Sequence, residues 1–215
     1  ENFEFIVSVA EQCFLNEYVY FQSKKEDDYV SKLKKEIENS KEINELGIAI
    51  LGCYVPLYSL ESIVDKLLNY NSKNISFNDL MITQITEPLK EKEISNSIKL
   101  FGKISDDISK KVRDQYEEHP YPRWRYAPTN LKTHFLSQLN HEIQPNVIEI
   151  NNKFNNPKVL VAGCGTGRHI FIVKNYLNAN ILGVDLSLTS LAYAKRKTEE
   201  LGLKNIEFLQ ADILQ

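Results

Sequence analysis

Cysteine is scarce in this chain of 215 residues. Its three copies, Cys13, Cys53 and Cys164, lie far apart and form neither a C-x-x-C pair nor an even-numbered set, which excludes the disulfide scaffold of small secreted domains. Unclustered thiols are typical of a reducing compartment, so we expect a cytoplasmic protein. No group of His, Cys, Asp and Glu has metal-ligand spacing, and the sequence therefore predicts no metal site.

Long apolar runs and an excess of one charge are absent too. The longest apolar run, residues 48–55, has eight residues, whereas a membrane-spanning helix needs about 20. The 26 basic and 29 acidic side chains leave a net charge of −3, which favours neither nucleic acid nor an anionic membrane as a partner. With 42% apolar and 26% charged residues, the composition is that of a globular protein.

Residues 1–102 predict a helical region. Apolar residues recur there at helical spacing, and no fixed repeat period is found. Ser59, Ser76 and Ser105 are the expected N-caps of helices, and Pro88 is the expected first residue of another.

Residues 103–156 form a connecting or lid segment with a helix at 131–143. Its centre holds three prolines, three aromatic residues and two arginines between His119 and Pro128, a composition that forbids regular helix. The segment has two interpretations of equal weight. It either covers a ligand, or it only docks the helical region with Trp124 as the anchor.

Residues 157–215 change from helical periodicity to an alternation of strands and helices. Short apolar runs at 159–162, 181–184 and 206–209 predict strands, separated by helices at 170–177 and 188–201. This β-α-β-α-β order predicts an α/β fold with a parallel sheet and right-handed crossovers. We expect the first strand to be buried on both faces, because its run is apolar throughout.

A glycine-rich turn follows the first of these strands. Gly163, Gly165 and Gly167 let backbone N–H groups approach a ligand closely. The spacing is G-x-G-x-G, and Arg168 occupies the place of the third glycine of a dinucleotide fingerprint, which argues against a nicotinamide-dependent oxidoreductase. A tight turn without a ligand is the alternative for this motif alone.

Carboxylates follow the second and third strands. Asp185 lies 18 residues after Gly167, close to the ~20 expected for a carboxylate that binds ribose hydroxyls. Its alternative is a helix N-cap, although Ser187 is available for that role. Asp212 can accept a hydrogen bond from an adenine amine, while the backbone of Ala211 or its neighbour pairs with the ring; its alternative is a strand-end turn. Together with the glycine turn, the two carboxylates predict adenosine binding.

These motifs resemble those of a known family. The sequences VLVAGCGTG at 159–167, GVDLS at 183–187 and QADIL at 210–214 are similar to the first three motifs of class I S-adenosylmethionine-dependent methyltransferases. Residues 188–197 and 116–124 are similar to bacterial methyltransferases that are fused to helical, tetratricopeptide-like regions. The resemblance implies a Rossmann-like sheet with S-adenosylmethionine over the carboxyl ends of its strands. The cofactor contacts it implies are Gly163, Gly165, Gly167, Asp185, Leu186, Ala211, Asp212 and Tyr116.

Two features depart from the family pattern. Val161 stands where many members carry an acidic residue near the methionine part of the cofactor. The family's sheet has seven strands, whereas this chain predicts only three, the first half of that sheet. We therefore expect a chain truncated after its third strand, in which an apolar unpaired edge favours self-association and the cofactor binds weakly, without methyl transfer.

Other candidate residues have weaker support. Cys164 is expected to be a packing residue, and His169 to be a surface or cofactor-edge residue. His119 and His134 are more often structural than catalytic in such positions, so no catalytic residue is assigned. The acceptor would be a protein or a small molecule. The alternative function is a helical protein-interaction module whose Rossmann-like half only binds a ligand or serves as a scaffold.

Overall fold

A computed structural model describes residues 2–127, 132–149 and 156–214. The chain divides into two units, residues 1–93 and 94–215. Within the described ranges, no helix is both long enough and apolar enough to cross a bilayer.

The N-terminal unit is helical, as predicted. Its core is formed by the apolar faces of several helices. Val7, Ala10 and Leu51 belong to this core, and each is at most 2% exposed. A 3-10 turn covers Leu57–Ser59, and a π-helical turn, Ile82–Thr86, joins two of the helices. The helices are α1 (Asn2–Leu15), α2 (Lys24–Asn39), α3 (Glu45–Gly52), α4 (Glu61–Leu68), α5 (Ile75–Met81) and α6 (Glu87–Ser95).

A buried glutamine in the π-helical turn cross-links this core. Gln84 is 0% exposed, and its Nε2 donates to the carbonyl oxygens of Ala10 (2.8 Å) and Gly52 (3.0 Å). Its Oε1 accepts from the backbone N–H of Leu57 at 3.2 Å and from the Tyr18 hydroxyl at 3.3 Å. The amide thus satisfies polar groups of three different elements where water has no access.

Several predicted helix starts were wrong by a few residues. α5 begins after Asn74, whose Oδ1 accepts from the N–H of Phe77, rather than at Ser76. Ser59 lies in the 3-10 turn, and α4 follows Leu60 without a side-chain cap. In both cases the predicted and the observed cap residue lie within two positions of each other. Only the packing of the helix determines which of them is next to the free N–H groups.

Pro88 was also misplaced, since it lies inside a continuous helical stretch. The chain runs from α5 through the π-helical turn into α6, which begins at Glu87. Proline has no N–H to donate within a helix. The wider π-helical turn directly before α6 allows the helix to continue past the proline.

The C-terminal unit is built on a parallel four-stranded sheet in the order β1-β4-β3-β2. The predicted parallel sheet of the three motif strands is confirmed. The fourth strand, β1, lies within the region that the sequence predicted to be helical, and it extends the sheet beyond the three predicted strands. The elements are β1 (Lys99–Phe101), α7 (Asp107–Glu118), α8 (Phe135–Glu142), β2 (Lys158–Ala162), α9 (Ile170–Val173), β3 (Asn180–Asp185), α10 (Leu188–Glu200) and β4 (Ile206–Ala211).

Strand β2 is less buried than its apolar sequence predicted. Val161 is 7% exposed, whereas Leu160 on the opposite face is 63% exposed. Among the described residues β2 pairs only with β3, so its outer edge has no strand partner. The expectation that this strand is buried on both faces was wrong.

Two helices of this unit also differ from prediction. α7 is capped by Asp106 rather than Ser105, because the Asp106 carboxylate accepts from the N–H groups of Ile108 and Ser109 at 2.9 Å each. α9 has a single turn, and the Asn175 side chain donates back to the carbonyls of Phe171 and Ile172, which competes with helix continuation. The predicted helix at 131–143 is observed from Phe135, and position 131 lies outside the described residues.

The buried glutamine generates a test of the N-terminal unit. Gln84→Leu keeps a side chain of similar size but leaves the backbone N–H of Leu57 without its partner and removes one donor each from the carbonyls of Ala10 and Gly52. We expect the free energy of unfolding to fall by roughly 1–3 kcal/mol, since a buried group that loses its partner costs that much. Urea unfolding measures the change, with the exposed Gln12→Leu as the control. Equal stabilities of the two variants would contradict the cross-linking role.

Candidate functional site

A cavity of about 670 Å³ lies at the carboxyl ends of β2, β3 and β4. This volume falls within the roughly 300–1,000 Å³ of small-molecule sites. The predicted cofactor residues that line it are Tyr116, Gly163, Gly165, Asp185, Leu186 and Ala211. The further lining residues are Val112, Tyr121, Pro122, Cys164, Thr166, Arg168, His169, Ile172, Ser190 and Ile213. Of the described residues that the sequence predicted as contacts, Gly167 and Asp212 do not line the cavity themselves.

The glycines of the turn have two different roles. Gly163 and Gly165 have φ angles of 67° and 50°, and a Cβ built on either would meet nothing within 4 Å. Gly167 has a φ of 83°, and its Cβ would lie 2.8 Å from the Cβ of Ala194 on α10. The first two glycines therefore leave backbone open for a ligand, whereas the third allows α10 to pack closely against the turn.

Asp185 connects the glycine turn to the start of α10. Its Oδ2 accepts from the N–H of Gly165 at 2.8 Å, and its Oδ1 accepts from the N–H of Ser187 at 3.0 Å. Each carboxylate oxygen has room for a further donor. The N-cap role that was the alternative for Asp185 belongs to Ser187, whose hydroxyl accepts from the N–H of Ser190 at 3.1 Å.

Asp212 carries a buried oxygen without a partner. Its side chain is 7% exposed, and Oδ1 accepts from the N–H of Leu214 at 3.0 Å. Oδ2 is the one buried side-chain oxygen or nitrogen in the described part of the chain that has no hydrogen bond. Ala211 and Ile213, on either side, both line the cavity. A buried acceptor that lacks a donor costs free energy. A ligand that donates a hydrogen bond to this oxygen would remove that cost.

The Pro-aromatic segment is docked against the glycine turn. Trp124 is 7% exposed, and its indole Nε1 donates to the carbonyl oxygen of Thr166 at 3.0 Å. The Thr166 hydroxyl donates to the carbonyl of Pro122 at 2.7 Å. The Trp124 ring meets that of Phe171 edge-on, with centroids 4.5 Å apart, and its backbone N–H donates to the Tyr193 hydroxyl. Trp124 is thus anchored against the C-terminal unit, and Tyr121 of the same segment lines the cavity.

Two helix ends meet beside the cavity, and we call their contact the α7–α10 latch (Tyr116, Glu117, Ser187, Leu188, Thr189). The Glu117 carboxylate accepts from the N–H groups of Leu188 (2.6 Å) and Thr189 (3.2 Å). In the other direction, the hydroxyls of Ser187 and Thr189 each lie 3.0 Å from the Tyr116 carbonyl, to which they donate. The unpaired backbone groups of both helix ends are therefore satisfied by side chains of the other helix end: the Glu117 carboxylate serves the N–H groups of α10, and two hydroxyls serve the Tyr116 carbonyl.

Sequence reasoning did not identify Thr166, Tyr193 or Glu117. Thr166 is a variable position inside a glycine motif, and Tyr193 reads as an apolar residue of an amphipathic helix. Glu117 stands in a polar helix next to another glutamate, a pattern typical of a solvated face. None of the three carries a local signal, because their partners are at least 42 residues away.

The remaining candidate side chains fall into two groups. Cys164 is 5% exposed, and burial, aided by the charge of Asp185, raises the pKa of its thiol far above the ordinary value. This disfavours the reactive thiolate and agrees with the predicted packing role. His169 is exposed at the cavity. Neither His119 nor His134 is among the described residues that line it.

Part of the C-terminal unit is similar to a family of known proteins. Residues 153–215 match the family model described as "Methyltransferase domain". The match covers all three motif strands. It begins well after α7 and the Pro-aromatic segment.

Similar curated proteins overlap only parts of the chain. A protein of Rickettsia prowazekii, described as "Uncharacterized protein RP789", is 37% identical over 99 residues, 46% of this chain and 17% of that protein. A tRNA (guanine-N(7)-)-methyltransferase of Rubrobacter xylanophilus is 47% identical over 60 residues, 27% of each chain. A protein of the same name from Helicobacter pylori is 26% identical over 137 residues, 63% of this chain and 30% of that one. The chain therefore spans 17–30% of the length of these relatives.

Solved structures overlay weakly on the whole chain. A S-adenosylmethionine-dependent methyltransferase from Aquifex aeolicus aligns with a TM-score of 0.27 and 18% identity, over 51% of this chain and 48% of that one.

The two roles of the glycines predict different costs for the same substitution. Gly165→Ala and Gly167→Ala both place a Cβ on left-handed backbone, which costs roughly 1–2 kcal/mol. Gly167→Ala also forces a contact with Ala194, and we expect it to cost about 1–3 kcal/mol more in the free energy of unfolding. Urea unfolding of the two variants provides the comparison. Equal losses in the free energy of unfolding would show that α10 moves away from the new Cβ of Gly167→Ala without cost.

Proposed function

We propose that the C-terminal unit binds S-adenosylmethionine and that the protein is a methyltransferase. The observation that carries the proposal is the buried, unpartnered Oδ2 of Asp212, whose chain neighbours Ala211 and Ile213 line the cavity. An exocyclic adenine amine is a donor of the kind this oxygen lacks. The match of residues 153–215 to methyltransferase domains supports the same conclusion.

The residues present fit this cofactor. Gly163 and Gly165 leave open space above the turn, where backbone N–H groups and the absence of side chains admit a polar ligand. Asp185 lies on the next strand end, and its carboxylate retains acceptor capacity for two ribose hydroxyls. Leu186 and Ala211 line the cavity beside these carboxylates.

The cofactor, when bound, supplies a methyl group activated on a sulfonium. The chain's own contribution is to orient the ligand and to exclude water from it. Tyr116 and Tyr121 line the cavity from outside the sheet, and aromatic faces attract such a cation. Trp124, docked on Thr166, holds the Pro-aromatic segment where it contributes to this wall.

For the acceptor, we propose a protein or a small molecule, since the net charge of −3 does not favour a polyanionic substrate. The two relatives named tRNA methyltransferases are covered over 27% and 30% of their length. Their acceptor therefore does not transfer to this chain.

Asp212→Asn tests the proposal at its central atom. The Asn carbonyl can keep the hydrogen bond to Leu214, while an NH₂ replaces the unpartnered oxygen and opposes the adenine amine. We expect unchanged folding and at least a tenfold loss of affinity for S-adenosylhomocysteine, since a charge-assisted hydrogen bond contributes roughly 1.5–3 kcal/mol. Isothermal calorimetry gives the affinity, with Glu207→Gln on the exposed side of β4 as the matched charge control.

The same variant also allows a gain of function. S-inosylhomocysteine carries a carbonyl oxygen in place of the adenine amine, so Asp212→Asn should bind it more tightly than the wild type does. Failure of the wild-type chain to bind S-adenosylhomocysteine would contradict the proposed function. Equal affinities of wild type and Asp212→Asn for both ligands would contradict the assignment of Asp212.

A further inference from the structure

Helix α7 forms one wall of the cavity although little apolar packing holds it there. Val112 and Tyr116, one helical turn apart, both line the cavity, yet they are 38% and 43% exposed. Ile108, earlier in the same helix, is 72% exposed. Ser109 is the one buried residue described in α7. Since hydrophobic stabilisation scales with the apolar area removed from water, the helix gains little of it.

The hydrogen bonds of the α7–α10 latch hold α7 in place where apolar packing contributes little. Glu117 accepts from the N–H groups of Leu188 and Thr189, the first two of α10, where the helix dipole favours a negative charge. The other two N–H groups of that first turn are satisfied from Ser187. Among the described contacts, Glu117 is therefore the residue outside the α10 cap that completes the helix start.

The position of Glu117 couples this cap to the cavity. It follows Tyr116 directly, and the Tyr116 carbonyl accepts from hydroxyls at the start of α10. The start of α10 directly follows Asp185, whose carboxylate accepts from the N–H groups of Gly165 and Ser187. A change at Glu117 therefore acts on the placement of the Tyr116 ring rather than on any ligand atom.

We propose that Glu117 is a positioning residue for ligand binding, which acts by holding α7 against α10 so that Tyr116 and Val112 close the cavity. This inference rests on the proposed function, because the ligand used to test it is that of the proposed site. The affinity depends on Glu117 through the population of the latched helix. If that population falls tenfold, the apparent dissociation constant rises about tenfold.

Glu117→Gln removes the charge and one of the two acceptors but changes the side-chain size very little. We expect its affinity for S-adenosylhomocysteine to fall about tenfold by calorimetry, by the population argument above. Glu118→Gln is the matched control, since it makes the same charge change one residue later, on a side chain that is 77% exposed. Thr189→Val, which removes a hydroxyl from the Tyr116 carbonyl, is a second variant and should act in the same direction.

A double-mutant cycle separates positioning from general stability. In a Tyr116→Ala background, Glu117→Gln should change the affinity little, since the ring that it positions is absent. An equal loss of affinity in both backgrounds would overturn the proposal and assign Glu117 a purely structural cap role. Wild-type affinity in Glu117→Gln would overturn it as well.

Hydrogen exchange without ligand distinguishes the failure of this inference from that of the proposed function. Glu117→Gln, but not Glu118→Gln, should speed amide exchange at Leu188, Thr189 and the last turn of α7 in the ligand-free chain. If the wild type binds no S-adenosylhomocysteine, the proposed function fails while exchange still reports on the latch. Unchanged exchange in Glu117→Gln would show that Glu117 does not hold α7 and would overturn the inference.

Discussion

The carboxylate of Asp185 is the interaction on which the site depends. It binds the N–H of Gly165 with one oxygen and the N–H of Ser187 with the other, so it fixes the glycine turn after β2 relative to the start of α10 after β3. The two backbone segments come from adjacent parallel strands, whose carboxyl ends meet at one edge. Without this bridge, the left-handed backbone at Gly165 would lack its nearest polar restraint.

The polar groups at the ends of helices provide the next layer of order. The first four N–H groups of α10, counted from its N-cap Ser187, have no partner inside the helix, and the side chains of Asp185, Glu117 and Ser187 satisfy them. This brings α7 to the cavity. Trp124 plays the corresponding role for the Pro-aromatic segment through the Thr166 carbonyl. The cavity wall outside the sheet is thus held mainly by directional hydrogen bonds, and it can be tuned by single polar residues.

Much of the fold could be predicted because its elements carry local periodic signals. The helical character of the N-terminal unit and the three motif strands follow from apolar spacing, and the parallel sheet follows from the alternation of strands and helices. β1 could not be predicted, since three residues are too few to show a period of two and all three of them are exposed. The predictions of Ser76 and Ser105 as N-caps were wrong because Asn74 and Asp106, which are the observed caps, offer equally good side-chain acceptors nearby, and tertiary packing determines which of them is used.

The residue types at three strand ends were determined by the sequence alone: glycines after β2, Asp185 at the end of β3 and Asp212 after β4. Chain order and parallel topology suffice to place them at one edge of the sheet. Only the tertiary structure decided which of the glycines faces open space and which faces Ala194, and which carboxylate oxygen is left without a donor. It also decided that Glu117 caps a helix 71 residues later in the chain. Local patterns set backbone conformation and burial tendency, whereas hydrogen-bond partners distant in sequence exist only once the chain has packed.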